Sequence, residues 1–312
     1  MPEELKLNKP WLVAVWPGMG HVAISAGYYL LAKLHMHALA EFSPRGLFEV
    51  EHVEIKKGLI RTGRLPRSRF FVWRNPEGEH DIIVFIGEAQ PPTGKYAFCQ
   101  KLIEFAQQQG VEKVFTFGAM ATRMHPAEPS RVFAAATDGA SLAELQKLEL
   151  STLDEGQISG LNGVLLGVAA DHGLAGLSLL GEMPHLFAQL PFPKASLAVL
   201  QVFTKLAGIT LDFTELSEQA TQMEHQLEEI LAKLEQAMAE QAEQADEREE
   251  EDTFPAPEPE SRLAPEEEAK IEHLFEQARE NRSKAYELKG LLDKLDVFKD
   301  YEDRFLDLFK KP

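Results

Sequence analysis

Residues 11–16 read Trp-Leu-Val-Ala-Val-Trp with no polar interruption, and Pro17-Gly18-Met19-Gly20 closes the run. A strand of this kind is buried on both faces, the condition of a parallel sheet covered by helices. The signature returns at residues 81–86, ended by Gly87 and Glu88, and at residues 114–117, ended by Gly118. Helical patterns fill the intervals at residues 21–37 and 95–109, the second stopped by Gly110. Strand, helix and strand in this rhythm predicts right-handed βαβ units and an α/β fold with a mainly parallel sheet.

Elsewhere the rhythm changes. Residues 48–55 and 70–73 read as strands with no full helix between them, so part of the sheet is expected to be mixed, with an excursion at residues 58–66 on an edge. Arg61, Arg64, Arg67 and Arg69 fall in or beside it, as a solvated basic edge or as an anion or partner site. Residues 132–137 read as a further strand, and Ser141-Leu142-Ala143-Glu144 has capping-box spacing. Residues 177–180 read as a strand stopped at Gly181-Glu182, and residues 196–207 as a helix halted by Gly208.

Between these lies a helix rich in glycine. Gly160, Gly163 and Gly167 recur at helical spacing, although each glycine in a helix interior costs roughly 1 kcal/mol against alanine. Close approach of another backbone or subunit accounts for such a pattern. Ser159, Gly160, Asn162, Gly163 and Gly167 are therefore the expected interface residues.

The net charge is −18, which argues against a general binder of nucleic-acid backbones. About 15 of those net negative charges fall within residues 212–260. Asp212-Phe213-Thr214-Glu215 has the form of a helix start, and Leu216, Ala220, Met223, Leu227, Ile230, Leu234 and Ala237 follow at steps of four and three. That is the seam of a coiled coil or of a helix docked on a neighbour. Residues 241–264 are acidic and then proline-rich, as in a flexible linker. Pro265 with Glu266, Glu267 and Glu268 favours a last helical segment, whose first stripe reaches Gly290. The expected division is an α/β domain over residues 1–211, an acidic amphipathic helix over 212–240, a linker over 241–264 and a helical segment over 265–312. No apolar run is long enough for a membrane span or a signal-peptide core, and Cys99 is the only cysteine, so a cytoplasmic protein without membrane contact is expected.

Ligands in an open parallel sheet gather beyond the carboxyl ends of the strands. That rule selects Gly18, Gly20, Glu88, Gln90, Gly118 and Glu182 as candidate ligand-binding residues, with Glu88 and Glu182 as candidate catalytic carboxylates. Each carboxylate has an alternative role in capping a helix or pairing with an arginine. The Gly18-Met19-Gly20 turn offers amides to an anion but lacks the spacing of the dinucleotide and Walker loops, and the alternative is a tight strand-to-helix turn. The histidines have no metal-ligand spacing, no Gly-x-Ser-x-Gly elbow occurs, and neither a metal nor a cofactor is expected.

Several of these segments carry a family resemblance. Trp16-Pro17-Gly18-Met19-Gly20-His21-Val22-Ala23, Phe85-Ile86-Gly87-Glu88-Ala89-Gln90-Pro91, Phe117-Gly118-Ala119-Met120, Ile158-Ser159-Gly160-Leu161-Asn162-Gly163-Val164-Leu165-Leu166-Gly167 and Leu180-Gly181-Glu182-Met183-Pro184 resemble the proteasome assembly chaperone 2 family in its bacterial and archaeal branch. The match spans residues 11–216, and the end from Tyr301 to Phe309 resembles bacterial relatives with a helical C-terminal extension. The resemblance implies a three-layer α/β domain similar to nucleoside phosphorylases and a homo-oligomer, with a trimer the expected state. Eukaryotic relatives chaperone assembly of the proteasome α ring, but Phe309-Lys310-Lys311-Pro312 departs from the hydrophobic-Tyr-x ending that enters α-ring pockets. Relatives are also labelled as ligases. Two functions stand side by side: an oligomeric interaction protein of assembly-chaperone type, and a small-molecule-binding enzyme, phosphorylase-, hydrolase- or ligase-like, using the strand-end cleft.

Overall fold

The computed structural model describes residues 6–42, 46–48, 53–76, 78–148, 150–251, 265–280, 284–295 and 297–308. In chain order the elements are β1 (Trp11–Val15), α1 (Val22–Lys33), β2 (His37–Phe42), β3 (Val53–Lys56), β4 (Leu59–Thr62), β5 (Ser68–Trp73), β6 (Ile82–Gly87), α2 (Lys95–Gln108), β7 (Lys113–Thr122), β8 (Val132–Ala136), α3 (Gly139–Lys147), β9 (Ser151–Thr152), α4 (Gly160–Asp171), β10 (Ala175–Pro184) and α5 (Pro193–Ala207). They are followed by α6 (Thr214–Glu251), α7 (Pro265–Glu280), α8 (Ala285–Lys294) and α9 (Phe298–Asp307). Most of the expected linker, residues 252–264, and the terminal residues 309–312 lie outside the described residues, as do residues 49–52.

The sheet runs β2-β5-β6-β1-β7-β10-β8-β9. Its centre is parallel, since β1 pairs in parallel with β6 and β7, and β7 with β10. Toward the ends β5 and β8 enter antiparallel, which makes the sheet mixed. Alternate residues of β1 feed opposite layers. Trp11, Val13 and Val15 pack with α1, α5 and the start of α6, whereas Leu12, Ala14 and Trp16 pack with α2 and α4. The unbroken apolar run is thus explained by burial on both faces.

Several boundaries differ from the sequence expectation, each for a physical reason. Gly118 and Gly181-Glu182 do not end their strands, because β7 and β10 pair with each other over ten residues. These glycines serve close packing instead. A Cβ at Gly118 would lie 2.7 Å from Leu180 Cδ2, and one at Gly181 would lie 2.6 Å from the Ala195 carbonyl oxygen. The helix expected over residues 21–37 stops at Lys33, and the chain turns through His35 at φ 49° into the edge strand β2. α3 is capped by Asp138, whose Oδ1 accepts from the Ser141 amide at 2.8 Å. Glu144, expected to close a capping box, accepts from Lys113 Nζ at 2.6 Å.

The chain forms two compact units, residues 1–239 and 240–312. Within the first, Leu216, Ala220 and Leu227 of α6 are buried, while Ile230 and Leu234 remain 41% and 48% exposed. The first turns of the apolar seam therefore cover the α/β core. α6 starts where Asp212 Oδ1 accepts from the Thr214 amide and hydroxyl at 3.0 and 2.7 Å. In the second unit, Ile271, Phe275, Ala278, Ala285, Leu288, Leu292, Val297 and Phe305 form a separate small core from α7, α8 and α9. Gly290 lies inside α8 and is not a stop.

Candidate functional site

After β1 the chain crosses to one face of the sheet as α1, and after β6 to the other as α2. Adjacent parallel strands whose helices leave to opposite sides open a crevice at their carboxyl ends. A cavity of about 440 Å³ is found there, lined by Trp16, Pro17, Gly18, Met19, Gln90, Gly118 and Ala119 to Ala121, and closed by Gln157 to Gly160, Asn162 and Leu180. Among the described residues no charged side chain lines it.

Gln90 and Asn162 are held by backbone. Gln90 Oε1 accepts from the Leu161 amide at 3.2 Å, and Asn162 Nδ2 donates to the Phe117 carbonyl at 2.8 Å. Both bonds fasten the N-terminus of α4 to the strand ends. Gly160 takes φ 71°, and a Cβ on it would come within 3.1 Å of Gln90 Oε1. The Trp16 indole N–H is buried with no acceptor among the described residues, and Ser68 Oγ is likewise without a partner. Trp16 Nε1 would lie 2.5 Å from a Cβ at Gly87, so only glycine fits beneath the indole.

The structure brings Gly18, Gln90, Gly118, Ser159, Gly160 and Asn162 to this one crevice. Gly20 is buried against Met183 at φ 61°. Its amide donates to the Ala188 carbonyl at 2.9 Å, and its carbonyl accepts from the Phe192 amide at 2.9 Å. That amide is committed internally and is not offered to an anion.

The two carboxylates lie outside the crevice lining. Glu182 is 2% exposed. Arg131 holds it with Nε to Oε2 and Nη2 to Oε1, both at 2.7 Å, and Thr122 Oγ1 adds a third bond at 2.9 Å. The Arg131 hydrogen bonds outweigh burial and hold the Glu182 carboxyl below its ordinary value. Glu88 borders a different cavity with Tyr28, Glu54, Arg64, Leu65 and Pro66. It accepts from Arg64 at 2.8 Å, from the Arg67 amide at 3.0 Å and from Arg69 at 3.3 Å. Burial raises its pKa, but the Arg67 amide and the two guanidiniums prevail and lower it. A general acid or base for neutral pH needs a pKa near the operating pH. Both glutamates are moved the other way, as structural ion pairs are.

The arginine partners were only half legible. Arg64 and Arg69 are spent on Glu88, and Arg67 Nε lies 3.4 Å from Glu41, so these three arginines are bound internally. Arg131 carried no signal in sequence, being a single basic residue outside any motif. Trp16, Met19, Met120 and Gln157 complete the crevice, and their only sequence signal is adjacency to the glycine turns. Burial drives the Cys99 thiol up to about 12, which makes it inert. Among the described residues no cluster of three or more His, Cys, Asp or Glu could hold a metal, and no helix is long and apolar enough to cross a membrane.

Gly163 and Gly167 lie apart from the crevice. They line a shallow cavity of about 320 Å³ against β8. A Cβ at Gly163 would lie 1.8 Å from the Ile158 carbonyl oxygen, whereas nothing lies within 4 Å of one at Gly167.

The model of the PAC2 family matches residues 12–231. The chain belongs to the PAC2 family. An uncharacterised relative from Methanocaldococcus jannaschii is 29% identical over 232 residues, covering 72% of this chain and 84% of that one. The crystal structure of Pyrococcus furiosus PbaB, an archaeal proteasome activator, is similar with a TM-score of 0.61 and 29% identity, covering 75% of this chain and 96% of that one. A proteasome-assembly chaperone homologue from Mycobacterium tuberculosis shares the fold with a TM-score of 0.62 and 22% identity, covering 70% of this chain and 94% of the other. The family match covers the α/β body and the docked start of α6, and includes every residue that lines the crevice.

Proposed function

We propose that this PAC2 protein is a cytoplasmic homo-oligomer that acts through protein contacts, as an assembly chaperone does, and catalyses no reaction. The observation that carries this reading is the β3–β4 hairpin, one face of which exposes Val53, Ile55 and Ile60 by 55 to 74%. Contiguous exposed apolar surface of this kind marks an interaction site. The glutamates that would do acid–base work are instead fixed in arginine pairs. The descriptions of the two structural relatives point to proteasome subunits as the partner class, and a trimer is the expected state. Ile230 and Leu234 extend the seam of α6 beyond its docked part and suit a partner helix. The test is size-exclusion chromatography with light scattering, alone and with proteasome α subunits from the same organism. Co-elution of a multimeric protein with those subunits supports the proposal; a monomer that elutes apart from them refutes it.

A second reading is favoured by the buried, unpartnered Trp16 N–H beside an uncharged crevice: a neutral ligand with a hydrogen-bond acceptor. Thermal-shift screening with nucleosides, ATP and phosphate tests it. A nucleoside effect lost in Met120→Trp supports the reading, and no stabilisation by any of the three probes removes it.

A further inference from the structure

Every residue of β3 and β4 is exposed. An isolated two-stranded hairpin is marginal in water, so a ribbon like this one gains most when one face is covered. Val53 pairs with Thr62 and Ile55 with Ile60, and directly opposed residues share a face. Val53, Ile55, Ile60 and Thr62 therefore form an apolar face, with Glu54, Lys56, Leu59 and Arg61 on the other. Lys56, Lys57 and Arg61 against the single Glu54 make the hairpin basic.

A matching surface lies at the opposite end of the sheet. The shallow cavity between α4 and β8 is lined by uncharged residues, among them Ala135, Ala136, Ile158, Gly163, Gly167 and Ala170. Gly163 is required by the Ile158 carbonyl, but Gly167 is exposed in mid-helix with open space beside it. Nothing among the described residues explains a glycine there. Asp138, Glu155 and Asp171 directly adjoin lining residues in sequence, and residues 148–193 contain no lysine or arginine. The surroundings of the groove are acidic where the hairpin is basic. The lengths also agree: a four-residue strand spans about 13 Å, and α4 from Gly163 to Ala170 rises about 10 Å.

We propose that the hairpin of one copy lays its Val53, Ile55 and Ile60 face into the α4–β8 groove of a second copy, with Lys57 of its turn toward Glu155 and Asp171. β5, which follows the hairpin, and β8 are five strands apart in the sheet order, about 24 Å at the usual spacing. The contact is head-to-tail, so copies joined by it form a closed ring or an open filament according to the rotation between them. The proposal rests on the self-association proposed above and assigns its surfaces.

Disulfide trapping in the full chain tests it. Cys99 is the only native cysteine and is fully buried, so added thiols report without background. Under mild oxidation, Ile60→Cys mixed with Gly167→Cys is expected to give a reducible covalent dimer, roughly tenfold above either variant alone, because the contact raises the local thiol concentration. Ile60→Glu and Gly167→Trp, both at exposed positions with room for the change, are each expected to reduce the light-scattering mass to that of one chain. An oligomeric wild type that shows no excess cross-link, and whose mass survives both substitutions, overturns this interface while leaving self-association intact. A monomeric wild type overturns both.

Discussion

Gly163 and Gly167 lie one helical turn apart on α4, and the same substitution is predicted to act on them with opposite sign. At Gly167 an alanine methyl meets nothing within 4 Å among the described residues, so Gly167→Ala recovers helix propensity worth about 0.8–1.0 kcal/mol. At Gly163 the methyl would lie 1.8 Å from the Ile158 carbonyl oxygen. Restoring an ordinary contact requires that backbone to move by more than 1 Å, and forced shifts of this kind cost about 1–3 kcal/mol. Net of the propensity gain, Gly163→Ala should lose up to about 2 kcal/mol, separating the variants by about 1–3 kcal/mol. Urea unfolding followed by circular dichroism measures the difference. The Ile60→Glu background keeps association from adding to the apparent stability. Equal stability of the two variants, or a more stable Gly163→Ala, would refute the assignment of close packing to one glycine and open space to the other.

Four further outcomes are expected. Arg131→Ala removes both guanidinium bonds from the buried Glu182 and leaves it the Thr122 hydroxyl alone; Arg131 is itself 64% exposed, so water reaches the vacated side and the melting temperature falls by less than the breaking of a fully buried pair would cause. The Glu182 carboxyl lies below 4.5 when folded, so its contribution is complete above that pH and is lost as pH falls through the folded pKa; Glu182→Gln should flatten this acid limb in denaturation curves. Ser68→Ala, at a buried hydroxyl with no partner among the described residues, should not lower the melting temperature, unlike the loss of a bonded serine. Cys99 should react with a thiol reagent only on unfolding, since its thiol is buried with a pKa near 12.

What the sequence made legible was the interior. Apolar runs such as residues 11–16 identify strands buried on both faces, and Gly110 and Gly208 end their helices in the left-handed region as expected. Extents were less legible where pairing decides them. Gly118 and Gly181 look like stops in one dimension, but β7 and β10 carry through them because each glycine admits a neighbouring atom. β2 has few β-branched residues and is a strand because β5 offers it an edge. At the site, proximity to strand ends selected Gly18, Gln90 and Gly118, which share one crevice, and Ser159, Gly160 and Asn162, expected as interface residues, line it as well. The same rule could not show that Glu88 and Glu182 turn to arginines, because those partners come from distant segments.

The central claim, that this PAC2 chain works through contacts made by an exposed hairpin, is tested most directly by molar mass. Light scattering of the full-length protein across a concentration series should give a multiple of 34.9 kDa, falling to that single value when Ile55 and Ile60 are both replaced by glutamate. A wild-type mass of 34.9 kDa at every concentration, or an oligomer indifferent to the double substitution, would contradict it.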